Sequence, residues 1–228
     1  MGIVSYAQNF EDVMLWRALG HIENGFYVDI GAQHPTIDSV SKAFYERGWS
    51  GINVEPVDEY ITLLQAERGR DINLQKIVSN ENATHRFYVF PDTGLSTANA
   101  GIARRHQKSG FICEEVSVDS ITLDTILAQA PDTGVHWLKV DVEGHEKQVF
   151  EGWRQFSIKR PWVVVVESTL PNLQVPNHRR WHGLLAGKGY KFVYFDGLNR
   201  FYIAEEHLEL KKYFKVPPNV FDGFSLYR

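Results

Sequence analysis

Apolar positions in this chain come in short, dense runs that stop abruptly at acidic residues. Phe26-Tyr27-Val28-Asp29-Ile30 and Gly51-Ile52-Asn53-Val54 before Glu55 are two of them. Val135 to Val140 before Asp141 and Trp162 to Val166 before Glu167 are two more. Such runs, rich in β-branched side chains and without strict alternation, read as strands buried on both faces of a parallel sheet. Between them the pattern changes to that of helices. Asn9 to Leu19 has Asn9 as cap, Glu11 and Asp12 in the first turn and Gly20 as stop. Asp38 to Arg47, capped by Asp38 or Ser39 and ended by Gly48, is a second helix, and Val57 to Arg68 before Gly69 a third.

Further along, Asn73 to Ser79 reads as the third strand. Thr84 to Phe90 alternates as an exposed strand does, and Pro91-Asp92-Thr93-Gly94 is a turn. Ala98 to Gly110 is polar, basic and irregular or briefly helical; Ile112 to Val118 is a strand and Ser120 to Ala130 a helix ended by Pro131. Glu146 to Trp153 and Trp181 to Ala186 are short helices, and Tyr190 to Phe195 with Arg200 to Ala204 form a hairpin. No repeat or linker interrupts this order. The expectation is one doubly wound α/β domain over residues 1–228, with the helix at 9–19 in front and an insertion, or lid, at 80–118 over the ligand site.

In doubly wound sheets ligands bind beyond the carboxyl ends of the strands. Asp29, Glu55, Asp141 and Glu167 would all meet there, and that much negative charge calls for a positive occupant: a sulfonium, an amine or a metal ion. Gly31 supplies the tight turn after the first strand, and Glu55 a carboxylate able to grip two ribose hydroxyls. A dinucleotide turn requires G-x-G-x-x-G, whereas Gly31 is followed by Ala32-Gln33-His34-Pro35-Thr36. Pro35 also removes an N–H that a phosphate would use. A nucleoside cofactor without phosphate, S-adenosylmethionine (SAM), fits this turn better.

Bulk properties narrow the field. With 228 residues, 43% hydrophobic and 23% charged, the chain can bury a full core, and a net charge of −4 gives no field that would attract nucleic acid. The tight basic cluster is Arg104-Arg105-His106-Gln107-Lys108. Cys113 is the single cysteine, so no internal disulfide forms. There is neither a basic segment followed by an apolar core at the N-terminus nor a run long enough to span a bilayer, and the expected compartment is the cytoplasm.

Three blocks give the chain its resemblance to a known family. They are Ser5-Tyr6-Ala7-Gln8-Asn9-Phe10-Glu11-Asp12; Val28-Asp29-Ile30-Gly31-Ala32 with Phe44-Tyr45-Glu46-Arg47-Gly48-Trp49 and Val54-Glu55-Pro56; and Leu138-Lys139-Val140-Asp141-Val142-Glu143-Gly144-His145-Glu146. Together they resemble the FkbM family of SAM-dependent O-methyltransferases over nearly the whole chain. The resemblance implies a class I methyltransferase fold, a mostly parallel seven-stranded sheet with one antiparallel strand from the C-terminal hairpin. It also implies methyl transfer to a hydroxyl of a sugar, glycan or secondary metabolite. His34-Pro35 departs from the family's usual Asn-Ile/Val-Gly continuation.

On that reading Glu55 binds the ribose hydroxyls, Asp29 and Gly31 shape the turn at the methionine end, and Ser79 or Asn80 bonds the adenine. Gln8 and Asp12 approach the same pocket, or else only pack across the sheet. An alcohol needs its proton removed as it attacks. His145, titrating near neutrality, is the first candidate base, or only a cap on the turn after Gly144; His34 is its rival, and Asp141 orients the acceptor. Asp141 and Glu143 could instead hold a divalent cation, although none is expected. Two other readings stay open: a metal-dependent glycosyltransferase-like enzyme using Asp141 and Glu143, and a nonenzymatic SAM-binding module.

Overall fold

The computed structural model describes residues 2–154, 159–171 and 173–227. In chain order the elements that position the cavity begin with α1 (Glu11–Leu19), β1 (Phe26–Ile30), α2 (Lys42–Glu46), β2 (Ser50–Val54), α3 (Asp58–Glu67) and β3 (Ile72–Leu74). Then come β4 (Ile77–Ser79), β5 (Thr84–Val89), α4 (Ala100–Lys108), β6 (Glu114–Thr122), α5 (Leu123–Ala128) and β7 (Trp137–Val140). The last are α6 (Glu146–Glu151), β8 (Val163–Glu167), α7 (His182–Ala186), β9 (Tyr190–Phe195) and β10 (Asn199–Ala204).

Seven strands form one sheet in the order β9-β10-β8-β7-β1-β2-β3. From β3 to β8 every pairing is parallel, while β10 runs antiparallel to both β8 and β9. Every residue of β1, β7 and β8 is buried, as the dense apolar runs require. Successive side chains feed opposite layers. Val28, Leu138, Val164 and Val166 join Leu123, Leu127, Phe150 and Trp181 on one face. Tyr27, Trp137, Val163 and Val165 meet Met14, Leu15 and Phe44 on the other. Tyr27 and Trp137 stack with their centroids 4.9 Å apart as neighbours in register. On this second face the next positions along the strands are polar. Asn53, Asp29 and Lys139 lie side by side across β2, β1 and β7.

Several elements differ from expectation or settle an alternative it left open. The helix expected over 38–47 starts only at Lys42, because Asp38 has φ +56°, outside the right-handed helical region. The chain before it is wrapped around the buried Arg68 guanidinium, which donates to the Pro35 carbonyl and, at 3.1 Å, to Ser39 Oγ. The strand expected over 73–79 breaks in two: β3 belongs to the large sheet, whereas β4 pairs with β6 in a separate sheet of order β4-β6-β5. The stretch 98–110 is an ordered helix, α4, because Asn99 Oδ1 accepts from the backbone N–H groups of Gly101 and Ile102.

At the site edge of the sheet one glycine is a steric necessity. Gly31 has φ +78°, and a Cβ there would stand 1.8 Å from the Asp141 carbonyl oxygen. Gly31→Ala should therefore push the ends of β1 and β7 apart and cost roughly 2–5 kcal/mol, a sum of overpacking and left-handed strain. Urea unfolding of the variant measures this, and unchanged stability would show that the two strand ends are not tightly joined.

Candidate functional site

A cavity of about 880 Å³ opens beyond the carboxyl ends of the parallel strands. Its walls carry the strand-end carboxylates Asp29, Glu55, Asp141 and Glu167, joined by Glu11, Asp38, Glu143 and Asp196 from helix and loops. Among the described residues the only lysines on its wall are Lys76 and Lys139. The cavity is therefore a strongly anionic chamber, hostile to pyrophosphate and suited to cationic ligands.

Lys139 is the counter-charge at its floor. Its Nζ donates to Asp141 Oδ2 at 2.7 Å. Burial alone would lower the ammonium pKa, yet Asp141, then Asp29 and Glu11, hold it well above its usual value. Glu11 sits on α1, which packs over this face. Its Oε1 accepts from Asn199 Nδ2 at 2.7 Å and its Oε2 from the Asn9 N–H, and burial still pushes its carboxyl up to about 7. Asp29 is buried, its carboxyl pushed up by desolvation, and its Oδ1 has no protein partner. Glu55 is held from both sides, Oε2 by the Gln33 N–H at 2.9 Å and Oε1 by the Val57 N–H at 2.8 Å. Each oxygen keeps a lone pair free. Burial raises this carboxyl too, to about 7.

The loop between β7 and α6 is bent by two consecutive left-handed residues, Glu143 (φ +51°) and Gly144 (φ +89°). Such backbone persists only where its surroundings fix it. Here two residues ahead of α4 do so: Thr97 Oγ1 donates to the Glu143 carbonyl at 2.8 Å and Asn99 Nδ2 to the Gly144 carbonyl at 3.2 Å. Asp141, Glu143 and Glu167 each bring a carboxylate oxygen within 4.8 Å of the others. Burial, then Asp141, drives Glu143 and Glu167 well above the ordinary carboxyl range. Like charges this close do not all ionise unaided.

The methyltransferase FkbM domain profile matches residues 29–192. The chain belongs to the FkbM methyltransferase family. A comparison with curated proteins gave no match.

Within this FkbM domain the residues expected at the site fall into two groups. Gln8, Asp29, Gly31, Glu55, Asp141, Glu143 and His145 all line the cavity. Asp12, His34, Ser79 and Asn80 are not among its lining residues. Asp12 is buried under the N-terminal segment, where it accepts from Ser5 Oγ and from the Tyr6, Ala7 and Val13 N–H groups. His34 Nδ1 accepts from the Thr36 and Ile37 N–H groups and so shapes a turn. Ser79 ends β4 and lies 3.2 Å from His145 Nε2, behind the wall that Lys76, Ile77 and Val78 form. His145 does not titrate near neutrality as its type suggests: burial lowers its pKa to about 4.

Lys139 and Glu11 are among the cavity residues that carry no role in the sequence reading. Lys139 did have a signal, a lone ammonium in the middle of an apolar strand, which is buried only where it is paired. Glu11 had none beyond its place in a helical first turn. Residues 80–118 supply Phe87, Thr93, Leu95 and Phe111 to the wall.

The raised carboxyls set a pH dependence of stability. In the unfolded chain Glu11, Glu55 and Glu146 ionise near 4.5, but in the fold they hold protons up to about pH 7. The folded state thus binds more protons across that window, and stability falls as pH rises through it. His145 acts oppositely, but only below its ordinary 6.5. The melting temperature should therefore drop between about pH 5 and 7.5 and level off above that. A rise over that range, seen by differential scanning fluorimetry, would mean that these carboxyls are ionised in the fold.

Proposed function

We propose that this chain is a SAM-dependent O-methyltransferase of class I architecture acting on a hydroxyl of a sugar, glycan or secondary metabolite. One observation carries the reading above the others: Glu55, at the end of β2, has both oxygens pinned by backbone N–H groups and still offers one lone pair from each to a vicinal diol. The strand order, with β10 as the antiparallel member, supports the class I assignment. The fit to SAM is supported by the free Oδ1 of Asp29, the Gly31 turn that a Cβ would close, and the anionic lining. Those same carboxylates disfavour a sugar nucleotide or dinucleotide.

When bound, SAM supplies a methyl group already activated on a sulfonium. The residues of this chain have three tasks. Glu55 grips the ribose hydroxyls, and Asp29 with the Gly31 turn holds the methionine end. The insertion, through Phe87, Leu95 and Phe111, keeps water from the acceptor. Removal of the acceptor proton falls to the Asp141-Glu143-Glu167 group. These carboxylates line the cavity within 4.8 Å of one another, where an acceptor hydroxyl would lie. His145 is held neutral, but at about 4 its basicity is weak.

Glu55→Ala should weaken S-adenosylhomocysteine binding by roughly 2–4 kcal/mol, measured by calorimetry, through loss of two charge-assisted bonds. A folded variant that binds as well as the parent would sink the ribose placement. Thermal-shift assays should show SAM stabilising the protein more than NAD or a UDP-sugar does; the opposite order would favour a nucleotide-diphosphate enzyme. In labelled-methyl transfer to candidate glycans, Glu143→Gln should lower turnover roughly 10²–10⁴-fold with product affinity kept. His145→Ala should cost less than about tenfold. Reversed magnitudes would return the base role to His145.

A further inference from the structure

The three clustered carboxylates raise a problem of charge that the methyl-transfer reading leaves open. Asp141 has Lys139 on its Oδ2. Glu143 and Glu167 have no such partner: Oε2 of each is buried and reaches no hydrogen-bond donor among the described residues. Glu167 is 8% exposed, closes the buried strand β8 and faces the cavity. A buried carboxylate oxygen without a donor is costly. Here two residues that each carry one lie in a cluster with a third carboxylate, and the cations acting on them are Lys139 and, at Glu143, Arg105.

We propose that Asp141, Glu143 and Glu167 bind one hard divalent cation, of the Mg²⁺ or Ca²⁺ class, between the ends of β7 and β8. The donor set is all oxygen, which selects hard cations over zinc or copper. The spacing suits a single ion. Oxygens on opposite sides of Mg²⁺ stand about 4.2 Å apart, and on Ca²⁺ roughly 4.6–5.2 Å; the three here lie within 4.8 Å of one another. They come from rigid places: the end of β7, the end of β8, and a left-handed loop residue whose carbonyl is held by Thr97. Three protein ligands leave the other positions of a six-coordinate ion open to the cavity. Those positions would take two neighbouring oxygens of an acceptor, such as a vicinal diol, and a cation there acidifies the hydroxyl it touches. That use of the ion rests on the methyltransferase reading; its binding does not.

Manganese is a suitable probe, because bound Mn²⁺ loses the sharp electron paramagnetic resonance signal of the free ion. The full-length protein, dialysed against chelator, should take up one Mn²⁺ per chain and release it to excess Mg²⁺ or Ca²⁺. Glu167→Gln and Glu143→Gln should each weaken Mn²⁺ roughly tenfold or more, while S-adenosylhomocysteine affinity, measured separately by calorimetry, holds. If Glu167→Gln does not fold, Glu143→Gln, on a partly exposed loop, decides alone. A free Mn²⁺ signal undiminished by stoichiometric protein, or variants that bind as the parent does, would overturn the cation site and leave a shared proton as the answer. Mn²⁺ uptake without any binding of S-adenosylhomocysteine would instead keep the site and sink the cofactor assignment.

Discussion

A single ammonium, Lys139, sets the terms for the site end of this fold. It emerges from the middle of a buried strand into a ring of carboxylates from three elements: Asp141 on its own strand's end, Asp29 in register on β1, and Glu11 on α1. Without it the strand ends could not converge, because each carboxylate would face others across a medium of low polarity. With it, α1 is drawn over the sheet by charge as well as by Met14 and Leu15. The same arrangement leaves a surplus of negative charge on the far side of Asp141. The cavity thus gathers more carboxylates than its two lysines can balance.

Backbone geometry does the remaining work of positioning. The turn at Gly31 is tight because it passes against the Asp141 carbonyl, which ties the end of β1 to the end of β7. Glu55 is fixed on the cavity wall by main-chain donors to both its oxygens. This preorganisation converts short sequence motifs into a site: the side chains arrive on strand ends whose relative positions the parallel ladder dictates.

Much of this was legible in the chain. Dense β-branched runs ending in acids located β1, β2, β7 and β8 and the edge on which their carboxylates gather, since both follow from local pattern. The hairpin of β9 and β10 was readable because Asp196, Gly197 and Asn199 are turn formers, and Asp196 Oδ1 does accept from the Leu198 and Asn199 N–H groups. What escaped depends on partners distant in sequence. The late start of α2 reflects Arg68 reaching back to Pro35 and Ser39, and the division of residues 73–79 into two strands reflects pairing with β6. His145 looked like a neutral-pH base, and only its burial near His85 lowers its pKa. Asp12 and His34 are residue types common in sites, but here they satisfy nearby backbone N–H groups.

The join between the insertion and the β7–α6 loop has a consequence for how such a scaffold can diversify. Thr97 and Asn99 grip the main-chain carbonyls of positions 143 and 144, and no side chain of that loop takes part in these two bonds. The coupling is therefore indifferent to which side chains the rest of the insertion displays toward the cavity. The cavity-facing side chains of residues 80–118 can be exchanged like an interchangeable tool head, with the two-bond socket and the buried Phe90 and Ala103 kept, while the carboxylates beneath stay in register.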